Sequence, residues 1–110
     1  MSEAKPQNLA FDEFIKWDIR VGSITKIEEV PKSKKLLKLE VSFGTFSRTI
    51  LAGIKGAAVL EGMKVTAVLN LAPRSMMGIE SHGMLLATHD ENNQIWMVNP
   101  GPVPDGTEVG

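Results

Sequence analysis

The sequence predicts an all-β fold in which short strands close into a small barrel, and three observations support it. Apolar and polar residues alternate in several short segments, most regularly in LKLEVSF at 37–43, which is the pattern of a strand with one buried face. Glycine, proline, asparagine or aspartate separates these segments, so that strand follows strand at regular spacing. The chain has 110 residues, of which 43% are hydrophobic and 23% charged, and this suits one globular domain.

The beginning of the chain predicts a leader followed by a short helix. Residues 1–8 are mostly polar and contain Pro6, which favours a flexible leader over residues 1–10, and the folded domain is expected at residues 11–110. Helical spacing then relates three apolar residues, Phe11, Phe14 and Ile15. We therefore expect one or two helical turns packed on the body of the domain.

Three strands are predicted in the first half of the domain. The first covers residues 19–27, in which Gly22 indicates a bulge or a sharp coil, as is common where a sheet curls into a barrel. A basic turn at 31–35 leads into the second strand at 37–43. The third strand returns over residues 46–52.

The connection to the fourth strand indicates the type of barrel. Residues 55–60 could form a short helical turn that ends at Gly62, and a mostly apolar fourth strand follows at 63–71. A helix between the third and fourth strands of a five-stranded barrel is the arrangement of an OB-fold. The prediction is therefore an all-β, five-stranded OB-fold barrel with a short helix between strands 3 and 4.

Two further strands and a tail are predicted after the fourth strand. The strands cover residues 84–88 and 94–98, on either side of a turn at 89–93. In both strands apolar residues occupy odd and even positions, so both faces of each strand are apolar. One small barrel cannot comfortably cover that much apolar surface, so a second subunit is expected to bury it. Residues 99–110 form an extended tail with two valines that could dock on the domain, Val103 and Val109.

The composition argues against several function classes. The chain has no cysteine, which excludes a disulfide framework and thiolate metal sites, and no apolar run approaches the length of about 20 residues that spans a membrane. The two histidines, His82 and His89, lack further ligands at metal-binding spacing. Glu28 and Glu29 are adjacent on a strand and point to opposite faces, and no phosphate-binding Gly-Lys-Ser/Thr motif follows Gly53. We therefore expect a cytoplasmic protein that is not an enzyme and has no cofactor or metal.

The charges are unevenly distributed, although the net charge at pH 7 is only −1. Five lysines and two glutamates lie between residues 26 and 38, whereas acidic residues collect near both ends of the chain. The cluster includes Lys32, Lys34, Lys35 and Lys38. Two interpretations remain open, a solvated turn or a surface that meets the phosphates of a nucleic acid.

The segment NLAPRSMMGIESHGMLLAT at 70–88 raises a similar choice. It contains three of the six methionines of the chain, one arginine, two glycines and a proline, and it ends in an apolar strand. Such a segment either packs against the core or offers an adaptable surface to a large partner.

Four segments of the chain carry a resemblance to a known family: FIKWDIRVGSITKIEEV at 14–30, KKLLKLEVSFG at 34–44, ILAGI at 50–54 and NLAPRSMMGIESHGMLLA at 70–87. They resemble the tRNA-binding domain family, which includes free-standing structure-specific tRNA-binding proteins and the C-terminal domain of many methionyl-tRNA synthetases. The likeness extends from about Phe11 to the end of the chain. A chaperone-like branch of the family usually lacks the Ser-x-Gly-Met ending that stands here at residues 81–84.

The resemblance implies an OB-fold with extra C-terminal strands that forms a homodimer and binds tRNA by shape, at the outer corner of the L, without chemistry. It assigns four RNA-contacting positions, Asn70, Arg74, Ser81 and Met84. For Met84 the alternative is packing in the core, and for Ser81 it is a hydrogen bond to the backbone of its own turn. The lysines at 32, 34, 35 and 38 complete the predicted RNA-binding site.

Two departures from the family pattern move the expected contact surface. Ser75 stands where many relatives have a lysine, and Lys34 stands where an acidic residue is frequent, so the footprint is expected to shift toward the basic turn. The connection after Ile54 is shorter than in relatives and lacks their tyrosine. The leading hypothesis is tRNA binding, alone or in support of an aminoacyl-tRNA synthetase, and the alternative is a chaperone-like or protein-interaction module of the same fold.

Overall fold

Nine strands and one helical turn make up the computed structural model, which describes residues 8–110. In chain order they are α1 Phe11–Phe14, β1 Ile19–Glu29, β2 Leu37–Ser42, β3 Ser47–Ala52, β4 Lys64–Val68, β5 Arg74–Met76, β6 Ile79–Ser81, β7 Met84–Leu85, β8 Ala87–His89 and β9 Ile95–Met97. Five strands form one antiparallel sheet in the order β3-β2-β1-β4-β7, and the sheet curls into a nearly closed barrel, which confirms the predicted OB-fold class. Beyond the end of the sheet, the His82 amide donates to the Thr49 carbonyl oxygen at 2.9 Å and brings the chain back to β3.

Strand β1 is the longest and curls because it contains a bulge, although not where the sequence indicates one. Its pairing with β2 shifts register between Ile24 and Lys26, so that Thr25 is the extra residue. Gly22 has a different role, since a Cβ atom at this position would lie only 2.7 Å from Val41 Cγ1. The bulge expected at Gly22 is therefore at Thr25, and the glycine leaves room for the buried side chains of Val41 and Phe43, which belong to the neighbouring strand β2 and its end.

The core fills the inside of the barrel, and strand β2 illustrates its construction. Residues of β2 alternate between buried and half-buried positions, and Leu39 and Val41 have no exposed surface. Neighbouring strands add apolar side chains to the same cluster: Ile24, Ile50, Ile54, Val65, Ala67, Leu69 and Leu85. The predicted alternation of buried and less buried residues in β2 is confirmed, because only one face of the strand reaches the core.

The connection between β3 and β4 is not helical, so this part of the prediction was wrong. The Ala57 amide donates to the Ile54 carbonyl oxygen at 2.9 Å, which closes a single turn, and the Val59 amide donates to Ala57. Gly56 has a φ of 98°, a left-handed conformation that favours glycine, and a helix cannot continue through it. Residues 55–60 therefore cross between the two strands as an irregular turn.

The helical turn predicted near the start exists, but it does not pack on the body of this chain. α1 spans Phe11–Phe14, and none of its residues is buried. Phe11 is 72% exposed, and Ile15 and Trp17 are exposed as well. Of the predicted leader at 1–10, residues 1–7 lie outside the described residues. No helix among residues 8–110 is long and apolar enough to cross a membrane.

The C-terminal residues form a second hairpin and then return to the barrel. The strand predicted at 84–88 is divided, because β7 belongs to the barrel while β8 pairs with β9. The tail, residues 99–110, then runs along β1, where the Val21 amide donates to Thr107 at 2.9 Å and the Val109 amide donates to Ile19 at 2.8 Å. The predicted docking of the tail is confirmed, and it covers an edge of β1 that β2 leaves free.

Candidate nucleic-acid interface

The segment between β4 and β7 is an ordered hairpin rather than a loop. In this hairpin segment, residues 70–83, β5 pairs with β6, and Arg74 faces Ser81 across the pair. The turn consists of Met77 and Gly78, which both have positive φ, 52° and 76°. Two successive residues of this kind are typical of a tight turn whose twist matches antiparallel strands. The hairpin exposes the Arg74 side chain to solvent.

Ser81 fastens the hairpin segment to the barrel. Its hydroxyl accepts a hydrogen bond from the Leu51 amide of β3 at 2.9 Å and donates to the Gly83 carbonyl oxygen at 3.4 Å. The residue is only 4% exposed. This geometry favours the alternative left open for Ser81, in which its hydroxyl bonds to backbone groups. Its role as a direct RNA contact stays a prediction.

Arg48 joins the two ends of the hairpin segment and was missed by the sequence analysis. Its Nη1 atom donates to the Leu69 carbonyl oxygen at 3.3 Å and to the His82 carbonyl oxygen at 3.4 Å. Its guanidinium also lies 5.3 Å from the centre of the Phe46 ring. Only its position in the strand could have indicated this role, because Arg48 lies on the same face of β3 as buried Ile50.

Asn70 connects the start of the hairpin segment to the residues before β1. Its side-chain oxygen accepts a hydrogen bond from the Asp18 amide at 2.8 Å, and its side-chain nitrogen donates to the Lys16 carbonyl oxygen. Both polar atoms of the side chain are therefore occupied within the chain, although the residue itself is exposed. Asn70 is placed to fix the direction in which the hairpin leaves the barrel.

Arg74 and Met84 line one groove, which has a volume of about 470 Å³. Met84 is 43% exposed, whereas the next residue, Leu85, is buried. Leu36 and Ile54 line the groove as well, and they belong to the connections that follow β1 and β3. The groove therefore separates the hairpin segment from the basic turn.

The predicted basic turn is confirmed and forms one border of this region. In the lysine turn, residues 31–36, the Ser33 hydroxyl accepts hydrogen bonds from the amides of Lys35 and Leu36 at 3.3 and 3.0 Å. The Lys35 carbonyl oxygen accepts a hydrogen bond from the Lys55 amide at 3.0 Å, which fastens the turn beside Ile54. Lys32, Lys34 and Lys35 are exposed.

Lys38 lies apart from the lysine turn, on strand β2. It is half-buried and faces Glu28 of β1, so its charge is partly compensated. The hydrogen bond and charge of Lys26, followed by the more distant charge of Lys38, lower the pKa of the Glu28 carboxyl. The structure thus brings Arg74 and Met84 to one groove, with Lys35 next to its wall, and leaves Lys38 and Asn70 outside that wall.

The cations at the groove are largely uncompensated. Within residues 8–110, the ion pairs involve neither the three exposed lysines of the turn nor Arg74. Lys55 does form an ion pair with Glu29 at 2.8 Å, and this contact lowers the pKa of the Glu29 carboxyl. In the same part of the chain, no group of three or more acidic or histidine side chains is arranged to hold a metal ion. The surface combines free positive charge with an apolar groove.

Comparison with known proteins identifies similar chains. The family model described as "Putative tRNA binding domain" matches residues 19–108. The methionine–tRNA ligase of Flavobacterium psychrophilum is 44% identical over 113 residues, and that of Christiangramia forsetii is 40% identical over the same length. Each alignment covers 98% of this chain but only 16% of the relative, so the chain spans about a sixth of the length of these ligases.

Two solved structures have the same fold along almost the whole chain. The methionyl-tRNA synthetase-related protein from Pyrococcus horikoshii has a TM-score of 0.87 and 38% identity, covering 94% of this chain and 99% of that one. The chaperone CsaA from Bacillus anthracis has a TM-score of 0.83 and 27% identity, covering 94% and 100%.

Proposed function

This chain belongs to the tRNA-binding domain family, and we propose that it binds folded tRNA without catalysing a reaction, alone or in support of an aminoacyl-tRNA synthetase. The observation that carries the proposal is the apolar groove between the lysine turn and the hairpin segment, with uncompensated cations on both sides. Phosphates supply most of the affinity of a protein for RNA, and cations without internal partners are free to meet them.

The predicted site residues divide into two roles under this proposal. Arg74 and the turn lysines contact phosphates, with Lys38 at the margin of the surface, and Met84 packs on an exposed base or ribose. Ser81 and Asn70 act mainly by holding the hairpin segment, since their side chains bond to the backbone. Contacts to RNA phosphates carry little sequence information, so this set of residues favours recognition of the shape of the tRNA.

The proposal extends to a homodimer. The sequence placed its interface on the strands at 84–88 and 94–98, but Leu85 is buried within this chain, and we place the interface instead on the face formed by α1 and the tail. Within residues 8–110, the following apolar side chains are exposed there: Phe11, Phe14, Ile15, Trp17, Val98 and Val109. A second groove, of about 340 Å³, lies between the tail and the barrel and is lined by Leu86, Val98 and Val103. A second subunit would bury this face and present two RNA-binding surfaces to one tRNA.

Light scattering tests the dimer. We expect twice the chain mass at micromolar concentration, with an interface of more than about 1,000 Å². A monomer mass under these conditions would contradict the dimer and leave the proposed RNA-binding surface unaffected.

Under the same proposal the protein acts as a separate domain at residues 11–110 in the cytoplasm, where tRNA is aminoacylated.

A second candidate function is a chaperone-like or protein-interaction module. It is favoured by the exposed methionines Met77 and Met84 and by the similarity to chaperone CsaA. Flexible apolar side chains of this kind adapt to many partners.

A mobility-shift experiment separates the two candidates. The tRNA complex is challenged with single-stranded DNA and, in a parallel series, with an unfolded polypeptide. We expect the tRNA complex to survive both competitors. Displacement of tRNA by the polypeptide at equal concentration would favour the second candidate instead.

A further inference from the structure

The groove beside Met84 has two walls from distant parts of the chain. One wall is built by the end of β3 and the turn that follows, with Leu51 and Ile54 buried beneath it. The other is built by Met76 of the hairpin segment and by Met84 and Leu85 of β7. Aliphatic and thioether groups therefore dominate the floor, and such groups pack on flat apolar rings.

The size of the groove restricts what it can hold. Its volume of about 470 Å³ is within the range of roughly 300–1,000 Å³ that is usual for small-molecule sites. Single-stranded and looped RNA exposes unstacked bases of this size, whereas the bases of a paired helix stay inside the stack. A groove of this volume therefore suits one unstacked nucleotide better than a paired helix.

One cation lines the groove and a second is adjacent to it in the chain, which suits the phosphates of a nucleotide. Arg74 stands at the hairpin wall, and Lys35 directly precedes Leu36 at the opposite wall. Neither cation is used in an ion pair within residues 8–110. A nucleotide consists of a flat ring joined to anionic phosphates, so that a ring in the groove would bring its flanking phosphates to the rim.

Gly53 provides an independent observation, because neither its backbone conformation nor a neighbour among residues 8–110 requires a glycine at this position. It lines the groove, its φ is outside the left-handed region, and a Cβ atom would meet nothing within 4 Å. Gly22, by contrast, is required by its close neighbours Val41 and Phe43. A glycine beside open space allows a ligand to approach the backbone closely.

We infer that this groove holds one unstacked nucleobase of the bound RNA, with Gly53 keeping the entrance open. The inference rests on the proposed tRNA-binding function and adds to it a preference for RNA that exposes an unpaired base. Met84 and Leu36 contact the faces of the base, and Arg74 and Lys35 meet the phosphates on either side of it.

The test fills the groove without changing charge or removing a contact. Gly53→Leu adds a side chain where there is open space. Asn92→Leu is the control, since Asn92 is exposed in the turn between β8 and β9 and lines neither this groove nor the groove at the proposed dimer face. Equilibrium binding is measured for intact tRNA and for a blunt RNA duplex of equal length at several salt concentrations. We expect Gly53→Leu to weaken tRNA binding at least about tenfold, with unchanged duplex binding and salt slope, and Asn92→Leu to have no effect.

Three results would overturn the inference. Equal tRNA binding by Gly53→Leu and the unaltered protein would mean that the groove is not occupied. An equal loss for tRNA and duplex would mean that the effect does not concern an unpaired base. If the unaltered protein does not bind tRNA at all, the proposed function fails first and the groove assignment falls with it.

A second measurement needs no protein variant, so it decides the matter even if Gly53→Leu does not fold. Unaltered protein is titrated with tRNA molecules in which each unpaired nucleotide is made abasic in turn. We expect one position to weaken binding about tenfold while the others have little effect. If no abasic position weakens binding, the inference is wrong.

Discussion

The hairpin segment and the tail both lie outside the main sheet, but side-chain bonds predominate in the attachment of the first and backbone bonds in that of the second. The hairpin segment is held at its base by the side chains of Arg48, Ser81 and Asn70, which all bond to backbone groups. The tail is held by backbone hydrogen bonds to β1, with additional support from Asp105. One substitution can remove a side-chain bond, whereas most substitutions leave backbone bonds in place. The proposed binding surface is therefore the part of the molecule that is more sensitive to mutation.

Removing one hydroxyl from each segment tests this contrast most directly. Ser81→Ala leaves the buried Leu51 amide without a partner, and we expect the free energy of unfolding to fall by about 1–3 kcal/mol. Thr107→Ala removes a hydroxyl that bonds to the Pro104 carbonyl oxygen at the surface, and we expect a loss below about 0.5 kcal/mol. Urea denaturation measures both values. Equal losses would mean that the two segments are attached in the same way.

Arg48 is expected to affect binding through the position of the hairpin segment. Arg48→Met removes the bonds to Leu69 and His82, and we expect tRNA affinity to fall about tenfold, or ~1.4 kcal/mol. The salt slope should stay unchanged, because Arg48 is proposed to contact no phosphate. Arg20→Met is the matched control, since Arg20 also lies near the Phe46 ring but bonds to Asp18 instead. A smaller salt slope for Arg48→Met would make Arg48 a direct contact.

Substitutions of Met84 and Val109 test one exposed apolar side chain near the hairpin segment and one in the tail. Met84→Ala removes an apolar arm from the groove, and we expect a loss of tRNA affinity of about fivefold, or ~1 kcal/mol, with a nearly unchanged melting temperature. Val109→Ala should instead raise the dissociation constant of the proposed dimer. A large fall in the melting temperature of Met84→Ala would mean that this methionine is a structural residue.

Lys35→Ala is expected to have a smaller effect, which is seen mainly in the salt dependence. If Lys35 meets one phosphate, the slope of log affinity against log salt should decrease by about 0.7–0.9. Lys26→Ala is the control, because Lys26 forms an ion pair with Glu28 at 2.8 Å. Identical slopes for the two variants would mean that the lysine turn is only solvated.

The smallest expected effect concerns the acid stability of the tail. Burial alone would raise the pKa of Asp105, but hydrogen bonds from Lys64 and Ser23 outweigh it, so the pKa lies below the ordinary value of 3.8. The contribution of Asp105 is therefore complete above pH 3.8 and is lost as the pH falls through the lowered pKa. Because the pair is partly exposed, we expect less than about 1 kcal/mol.

A pH titration of stability checks this prediction. The unaltered protein and Asp105→Asn are denatured with urea at neutral pH and at several values below 3.8. We expect the difference between them to disappear at the acidic end. A difference that grows as the pH falls would contradict the direction of the pKa shift.

The parts of the fold that depend on local pattern were predictable from the sequence. Strand β2 alternates because one of its faces is buried, and this periodicity is visible in residues 37–43. The turn at 55–60 was not predictable from its apolar content. Gly56 takes a left-handed φ there, and spacing alone does not indicate it.

The candidate site was predictable only in part, for a different reason. Motifs identify residues that share a segment, such as Arg74 and Met84, but not the residues that hold the segment in place. Arg48 acts from another strand, and Ser81 has a hydroxyl that could equally face RNA or the barrel. Such roles depend on contacts between distant residues, which no local pattern contains.

The attachment of the tail to β1 also sets an order of events during synthesis. Ser23 and Asp105, which are joined by a hydrogen bond, are 82 residues apart in the chain. At about 5–20 residues per second, a ribosome needs roughly 4–16 s to make the residues between them. During that time the edge of β1 around Val21 has no partner and can pair with another nascent chain. Productive folding of this domain therefore depends on keeping that edge apart from other chains until the tail has been made.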